Sequence, residues 1–166
     1  MSSEPVTVYL CLGSNMGNRQ DNLDRALELL SQRLRMVKVS SVYDTEPMVN
    51  TNQPRFLNLV CHAATVLEPM GLLTLIKGIE SKLGRVAAKP NSPRIIDIDI
   101  LLYGDKVFKN SKLIIPHPRL MERAFVLVPL AEIAPEAVHP VSGQTVKQLL
   151  EGLKEKQGVF KWEEES

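Results

Sequence analysis

At 166 residues, 44% hydrophobic and 23% charged, the chain is long enough for a full core and too apolar to be disordered. Its 20 basic and 19 acidic residues leave a net charge of +1, which excludes an electrostatic footprint for duplex DNA or an anionic membrane. The two cysteines, Cys11 and Cys61, exclude a disulfide framework or cysteine zinc site, and no apolar run approaches ~18 residues.

In chain order, Val6 to Leu12 reads as a strand that ends in a turn at Gly13-Ser14-Asn15. A helix follows from Asn18, which is placed to cap it, with Leu23, Ala26, Leu27, Leu30 and Leu34 on one face. Met36 to Tyr43 alternates as a second strand, and Phe56 to Val66 forms a third beyond a polar loop long enough to be a working one. There Phe56 and Asn58 share one face, and Leu57 and Leu59 the other. Glu68-Pro69 opens a second helix with a buried stripe at Leu72, Leu73, Ile76, Ile79 and Leu83, stopped by Gly84. Lys77 and Glu80 fall on its polar side, where the residues alone suggest a surface ion pair. Residues 85–94 are a loop. After a fourth strand, Lys106 to Phe108 and Leu113 to Ile115 read as a hairpin. Pro116-His117-Pro118-Arg119 makes a corner before a helical segment reaching about Val128. Thr145 and Gln148 match a capping box for a last helix, and Val159 to Trp162 reads as an edge strand. The order β-α-β-β-α-β predicts an α+β, ferredoxin-like antiparallel sheet with helices on one face, plus C-terminal helical and hairpin additions. The expectation is a single domain over 1–166, with a core at about 5–153 and a charged tail at about 154–166.

The fourth strand, Ile95 to Tyr103, carries the chemistry. Alternation places Asp97 and Asp99 on one face, roughly 6.6 Å apart at the usual rise per residue, with Ile96, Ile98 and Ile100 on the other. Two adjacent carboxylates in so apolar a strand repel each other and resist burial. Two readings stay open on these residues: an edge strand with its acids in water, or a pair holding a hard cation such as Mg²⁺, which takes one or two carboxylates beside substrate phosphates.

Several blocks then occur in one order. They are Leu12-Gly13-Ser14-Asn15, Tyr43-Asp44-Thr45-Glu46-Pro47, Gln53-Pro54-Arg55-Phe56-Leu57-Asn58 and Ile79-Glu80-Ser81-Lys82-Leu83-Gly84-Arg85. Pro93-Arg94-Ile95-Ile96-Asp97-Ile98-Asp99-Ile100-Leu101 and Pro116-His117-Pro118-Arg119-Leu120-Met121-Glu122-Arg123-Ala124-Phe125 complete the set. From about Val8 to Leu153 the sequence resembles the 6-hydroxymethyl-7,8-dihydropterin pyrophosphokinase family of folate biosynthesis. The resemblance implies transfer of a pyrophosphoryl group from ATP to a pterin alcohol, with AMP released, and a ferredoxin-like fold. It implies two Mg²⁺ ions on Asp97 and Asp99, with Arg94 and Arg123 as further catalytic groups. Thr45, Pro47, Met48, Phe56, Asn58 and Phe125 would bind the pterin. Lys77, Glu80, Arg85, Lys89, Arg94, Ile100, Lys112, His117 and Arg123 would bind ATP.

The chain also departs from the family. Many relatives carry a second arginine and a tryptophan in the loop after Arg85, where Ala87 or Ala88 and Asn91 stand here. A glutamine often found at Lys77 is absent too. Lys89 is then the loop cation left to reach the triphosphate, as a point charge rather than a fork. Expected partners are ATP and the pterin, with no nucleic acid and no membrane, and the chain is expected to be a cytoplasmic monomer. A ferredoxin-like RNA- or ligand-binding module would need a basic face with adjacent aromatics. A Mg²⁺-dependent phosphohydrolase would need the acid pair without a pterin pocket.

Overall fold

The computed structural model describes residues 4–45, 55–84, 95–153 and 158–162. Along the chain these form β1 (Val6–Ser14), α1 (Arg19–Ser31), β2 (Arg35–Val39), β3 (Tyr43–Thr45), β4 (Phe56–Thr65) and α2 (Pro69–Lys82). There follow β5 (Asp97–Tyr103), the hairpin β6 (Phe108–Lys109) and β7 (Ile114–Ile115), a 3-10 turn at Leu120–Glu122, α3 (Ala124–Ile133), α4 (Val146–Glu151) and β8 (Val159–Lys161). The main sheet is antiparallel in the order β5-β1-β4-β3-β8, with β2 also paired to β4. This is the expected ferredoxin-like arrangement, with the last strand added at the far edge.

Alternation decides which residues meet which layer. Leu10, Leu12, Leu57, Leu59, Ile98 and Ile100 face α1 and α2, where Leu23, Ala26, Leu30, Leu72 and Ile76 close the larger core. Each fully buried leucine there contributes roughly 1.5–3 kcal/mol. Cys11, Val60 and Leu101 face the other way, against Leu120, Val126, Leu127, Leu130, Val146 and Leu149. The C-terminal additions therefore cover the second face of the sheet, and the acid-bearing face of β5 looks toward α3 rather than α1 and α2. The helix starts follow their sequence signals. Asn18 accepts from the Asp21 N–H at 3.0 Å, a cap worth about 1 kcal/mol. Pro69 opens α2, and Thr145 and Gln148 close a capping box on α4.

Four readings are corrected. Met36 to Tyr43 is two strands, because Ser40 pairs with Val60 through both its backbone and its hydroxyl while the next residues bulge before Tyr43 meets Asn58. Gly13 lies inside β1 and not in a turn. The helical segment after Arg119 begins as a 3-10 turn and continues as α3 to Ile133, through Pro129. Glu80 is no surface residue: it is 2% exposed, and its side chain reaches the backbone of β5.

Candidate active site

Strand register assembles the site. Asp97 pairs with Gly13, and Gly13 with Asn58; one step along, Asp99 pairs with Cys11, and Cys11 with Val60. Directly opposed residues share a face, so the two acids and Asn58 lie in one layer with Phe56 and Thr45. Gly13 is required by close approach: a Cβ there would stand 2.5 Å from Asn58 Oδ1 and 3.5 Å from Phe56 Cδ1. The Asn58 amide therefore lies across the glycine, donating to Thr45 Oγ1 at 2.6 Å. Asn58 and Thr45 are 4% and 2% exposed, so Thr45 orients the amide. Phe56 and Phe125 are both half-buried. Above the Phe125 ring, at 5.3 Å, lies the Arg123 guanidinium. Among the described residues its buried Nε has no hydrogen-bond partner, which leaves a cationic donor ready for an anion.

β5 is an edge strand, as one of the two sequence readings had it, but its outer edge is covered. The Ile98 N–H donates to Glu80 Oε2 at 2.9 Å, and the His117 N–H donates to Leu101 O at 3.0 Å. Between these two points a cleft of about 300 Å³ runs along the strand. It is lined by Leu73, Lys77, Ile98, Asp99, Ile100, the hairpin residues Asn110 to Ile114, His117 and Pro118. Lys77, Ile100, Lys112 and His117 therefore converge from α2, β5, the β6–β7 hairpin and the corner after it on one cavity that Asp99 also lines. Lys77 Nζ sits 3.4 Å from Glu80 Oε1, so Glu80 holds the lysine with one oxygen and the β5 backbone with the other.

The electrostatics of the site are unbalanced. Burial raises the Asp99 carboxyl from its ordinary value of 3.8 to about 7, with Asp97 and then Glu80 adding to the rise while Arg123 and Lys77 oppose it. Burial, with help from Arg123, pushes the His117 imidazole down to about 4 against the pull of Asp97. His117 is thus neutral at physiological pH. Its Nδ1 accepts from the Arg119 N–H at 3.2 Å, which assigns the ring proton to Nε2 and makes the residue a neutral donor. Cys11, opposite Asp99, has its thiol held well above the usual range, by burial first and then by the neighbouring acids.

Of the residues expected in the site, Asp97, Asp99, Arg123, Thr45, Phe56, Asn58, Phe125, Lys77, Glu80, Ile100, Lys112 and His117 are all placed. Pro47, Met48, Arg85, Lys89 and Arg94 lie outside the described residues. The sequence did not single out the steric role of Gly13, the Glu80 contact with β5, or Leu73, Asn110 and Ser111 as cleft walls. An Asn-Ser pair between short strands signals a turn, but nothing local links that turn to α2.

The comparisons with known proteins decide the family. Residues 9–135 match the family model described as 7,8-dihydro-6-hydroxymethylpterin-pyrophosphokinase. A protein of Aquifex aeolicus named 2-amino-4-hydroxy-6-hydroxymethyldihydropteridine pyrophosphokinase is 44% identical over 143 residues, 86% of this chain and 89% of that protein. The chain belongs to this pyrophosphokinase family. The Bacillus subtilis protein of the same name is 41% identical over 91% of this chain and 92% of its own length. The folic acid synthesis protein fol1 of Pneumocystis carinii is 44% identical over 90% of this chain, which spans only 20% of that longer protein. In fold, the chain is similar to a Plasmodium falciparum HPPK-DHPS solved with pteroate. The TM-score is 0.72 at 21% identity, covering 89% of this chain and 43% of that one. Among the described residues, no helix is long and apolar enough to cross a membrane.

Proposed function

We propose that this chain, as a single folate-biosynthesis pyrophosphokinase domain, moves the β,γ-pyrophosphoryl group of ATP to the hydroxymethyl oxygen of 6-hydroxymethyl-7,8-dihydropterin. The observation that carries the reading is the position of the acid pair. Asp97 and Asp99 share a sheet face with Asn58, Thr45 and Phe56, groups suited to a flat heterocycle, and Asp99 also lines the cleft that holds Lys77, Lys112 and His117. In the reaction the hydroxymethyl oxygen bonds to the β-phosphorus. The bond from that phosphorus to the oxygen bridging to the α-phosphorus breaks, and AMP leaves with that oxygen.

Transfers of this kind depend on alignment and charge more than on covalent help. Asn58 and the β3 backbone around Thr45 fix the edge of the pterin, and Phe56 and Phe125 take its faces. Lys77 and Lys112 meet the phosphates as point charges. Arg123 Nε and the Nε2–H of neutral His117 donate to oxygens on which charge develops. The donor set fits a hard divalent cation: two carboxylates share a face, and Asp99 is raised by burial first and then by the charges of Asp97 and Glu80. Asp97 and Asp99 would hold Mg²⁺, two ions with ATP bound, which supplies charge neutralisation along the triphosphate. Pro47, Met48, Arg85, Lys89 and Arg94 keep their proposed substrate contacts on resemblance alone. The two free, buried thiols suit a reducing cytoplasm.

The test is product stoichiometry. With ATP, Mg²⁺ and the pterin, AMP and pterin pyrophosphate should form one for one. AMP without pterin, or ADP and inorganic phosphate as products, would overturn the reading in favour of a phosphohydrolase.

A further inference from the structure

The residues proposed for the pterin half of the site include the last pair of β3 and β4, where Thr45 stands opposite Phe56. A third strand is present there, since Val159 of β8 pairs with Thr45 across the other edge of β3. Arg55, the residue before Phe56, joins all three strands. Its Nε donates to Asp44 Oδ1 at 2.6 Å, and its Nη2 reaches Gly158 O at 3.3 Å. Its own carbonyl accepts from Arg19 Nη1 at 2.8 Å, and the Arg19 guanidinium lies 5.3 Å from the centre of the Trp162 ring. The backbone N–H of Trp162 in turn donates to Val42 O at 2.8 Å. The start of α1, the end of the β3–β4 pair and the C-terminal strand are thus clasped at one residue, Arg55, through its carbonyl on one side and its guanidinium on the other.

The Arg55 and Asp44 side chains are 35% and 26% exposed. An ion pair still partly open to solvent adds about 1 kcal/mol or less to global stability, so its main consequence is geometric. Only a planar fork can hold Asp44 and Gly158 O at once.

We propose that Arg55 is a positioning residue for the pterin half of the site. By fixing β8 against β3 it sets the place of Thr45, and Thr45 Oγ1 sets the Asn58 amide, beside which the Phe56 ring lies. The substrate named here rests on the pyrophosphokinase reading; the clasp does not.

Steady-state kinetics and Trp162 fluorescence test the two parts separately. Arg55→Ala should raise the pterin KM about fivefold, as loss of a positioning contact does, with kcat and the ATP KM within about twofold. Its Tm should stay within about 3 °C of wild type, because a half-exposed pair is lost. Arg55→Lys keeps a charge for Asp44 but not the second arm, so it should recover less than half of the lost pterin affinity. An unchanged pterin KM in Arg55→Ala, or a wild-type KM in Arg55→Lys, overturns the proposal. So do equal rises in both KM values accompanied by a large fall in Tm, which would mark a merely structural role. Trp162 is the single tryptophan, so its emission reports the docking of β8 without any turnover. Iodide should quench it more strongly in Arg55→Ala, and unchanged quenching refutes the clasp. If the wild-type protein makes no AMP from ATP and pterin, the functional reading fails while the fluorescence result still decides the clasp.

Discussion

Replacing Asp99 by Asn should make the metal-free protein more stable at pH 8 and leave it nearly unchanged at pH 4. In the folded chain the Asp99 carboxyl titrates at about 7, against an ordinary value of 3.8. Below pH 4 it is protonated in both states and costs nothing. As pH rises from 4 to 7 the unfolded chain loses its proton first, so folding stability falls, and above 7 the whole penalty is present. About three pH units at 1.36 kcal/mol each set a ceiling of about 4 kcal/mol. The net gain is smaller, because Arg123 and Lys77 lose an attractive partner and the amide that replaces the acid is also buried. The expected gain is about 1–3 kcal/mol, which for a chain of this length is roughly 2–12 °C in Tm. Scanning calorimetry with a chelator at both pH values reads it directly. Adding Mg²⁺ with a non-hydrolysable ATP analogue should then raise the wild-type Tm more than that of the variant, and the variant should lose turnover by orders of magnitude. No gain at pH 8, or an equal gain at pH 4, would refute the charge explanation.

Gly13→Ala should weaken pterin binding by about 1–3 kcal/mol, because its Cβ displaces the Asn58 amide, while ATP-analogue binding measured by calorimetry holds. Retained pterin affinity in that variant would mean that Asn58 does not read the pterin. Phe125→Ala should likewise lower pterin affinity, by about 1 kcal/mol, without altering analogue binding in the absence of pterin. Glu80→Ala strands the Ile98 N–H and should cost about 1–3 kcal/mol in denaturant unfolding, whereas Glu80→Gln keeps an acceptor and should cost less. Equal costs would show that charge rather than the backbone contact is what Glu80 supplies. Because the folded His117 titrates at about 4 and the unfolded residue near 6.5, its protonation destabilises the fold as pH falls through that window. His117→Asn should therefore lose less stability than wild type between pH 7 and 4.5, as read by denaturation midpoints.

The fold was legible where local periodicity and tertiary need agree. The stripe Leu72, Ile76 and Ile79, the Asn18 cap and the Asp97/Asp99 alternation all followed from spacing. The break between Val39 and Tyr43 was not legible, because Ser40 earns its place through Val60, which is distant in sequence. Glu80 misled for a different reason. Its charge beside Lys77 suggested the polar side, although it stands four residues after Ile76 and three before Leu83, on the buried stripe, where it meets β5. Gly13 looked like a turn residue because glycine next to Ser-Asn usually is one. Its actual constraint, the Asn58 side chain lying across it, depends on the β1–β4 register. Local signals thus gave the elements and the acid pair, while the walls of the site depended on which strands became neighbours.

The edge position of β5 accounts for how one strand could serve two substrates. A central strand has both backbone edges committed to neighbours, whereas an edge strand keeps one to offer. In β5 that edge is secured at Ile98 by Glu80 and near its other end, at Leu101, by His117, and the cleft opens between them. The acids meanwhile leave through the face toward α3, in the layer that holds Asn58 and Phe56. A nucleotide along the edge and a heterocycle on the face would then meet at Asp97 and Asp99, the point common to both surfaces. That placement also explains why Asp99 is so incompletely compensated among the described residues. Arg123 and Lys77 are near enough to pull on Asp99, yet they do not bring its carboxyl back to an ordinary value. A fully neutralising set of side chains would stabilise the empty protein and leave no charge to hold a cation against the phosphates.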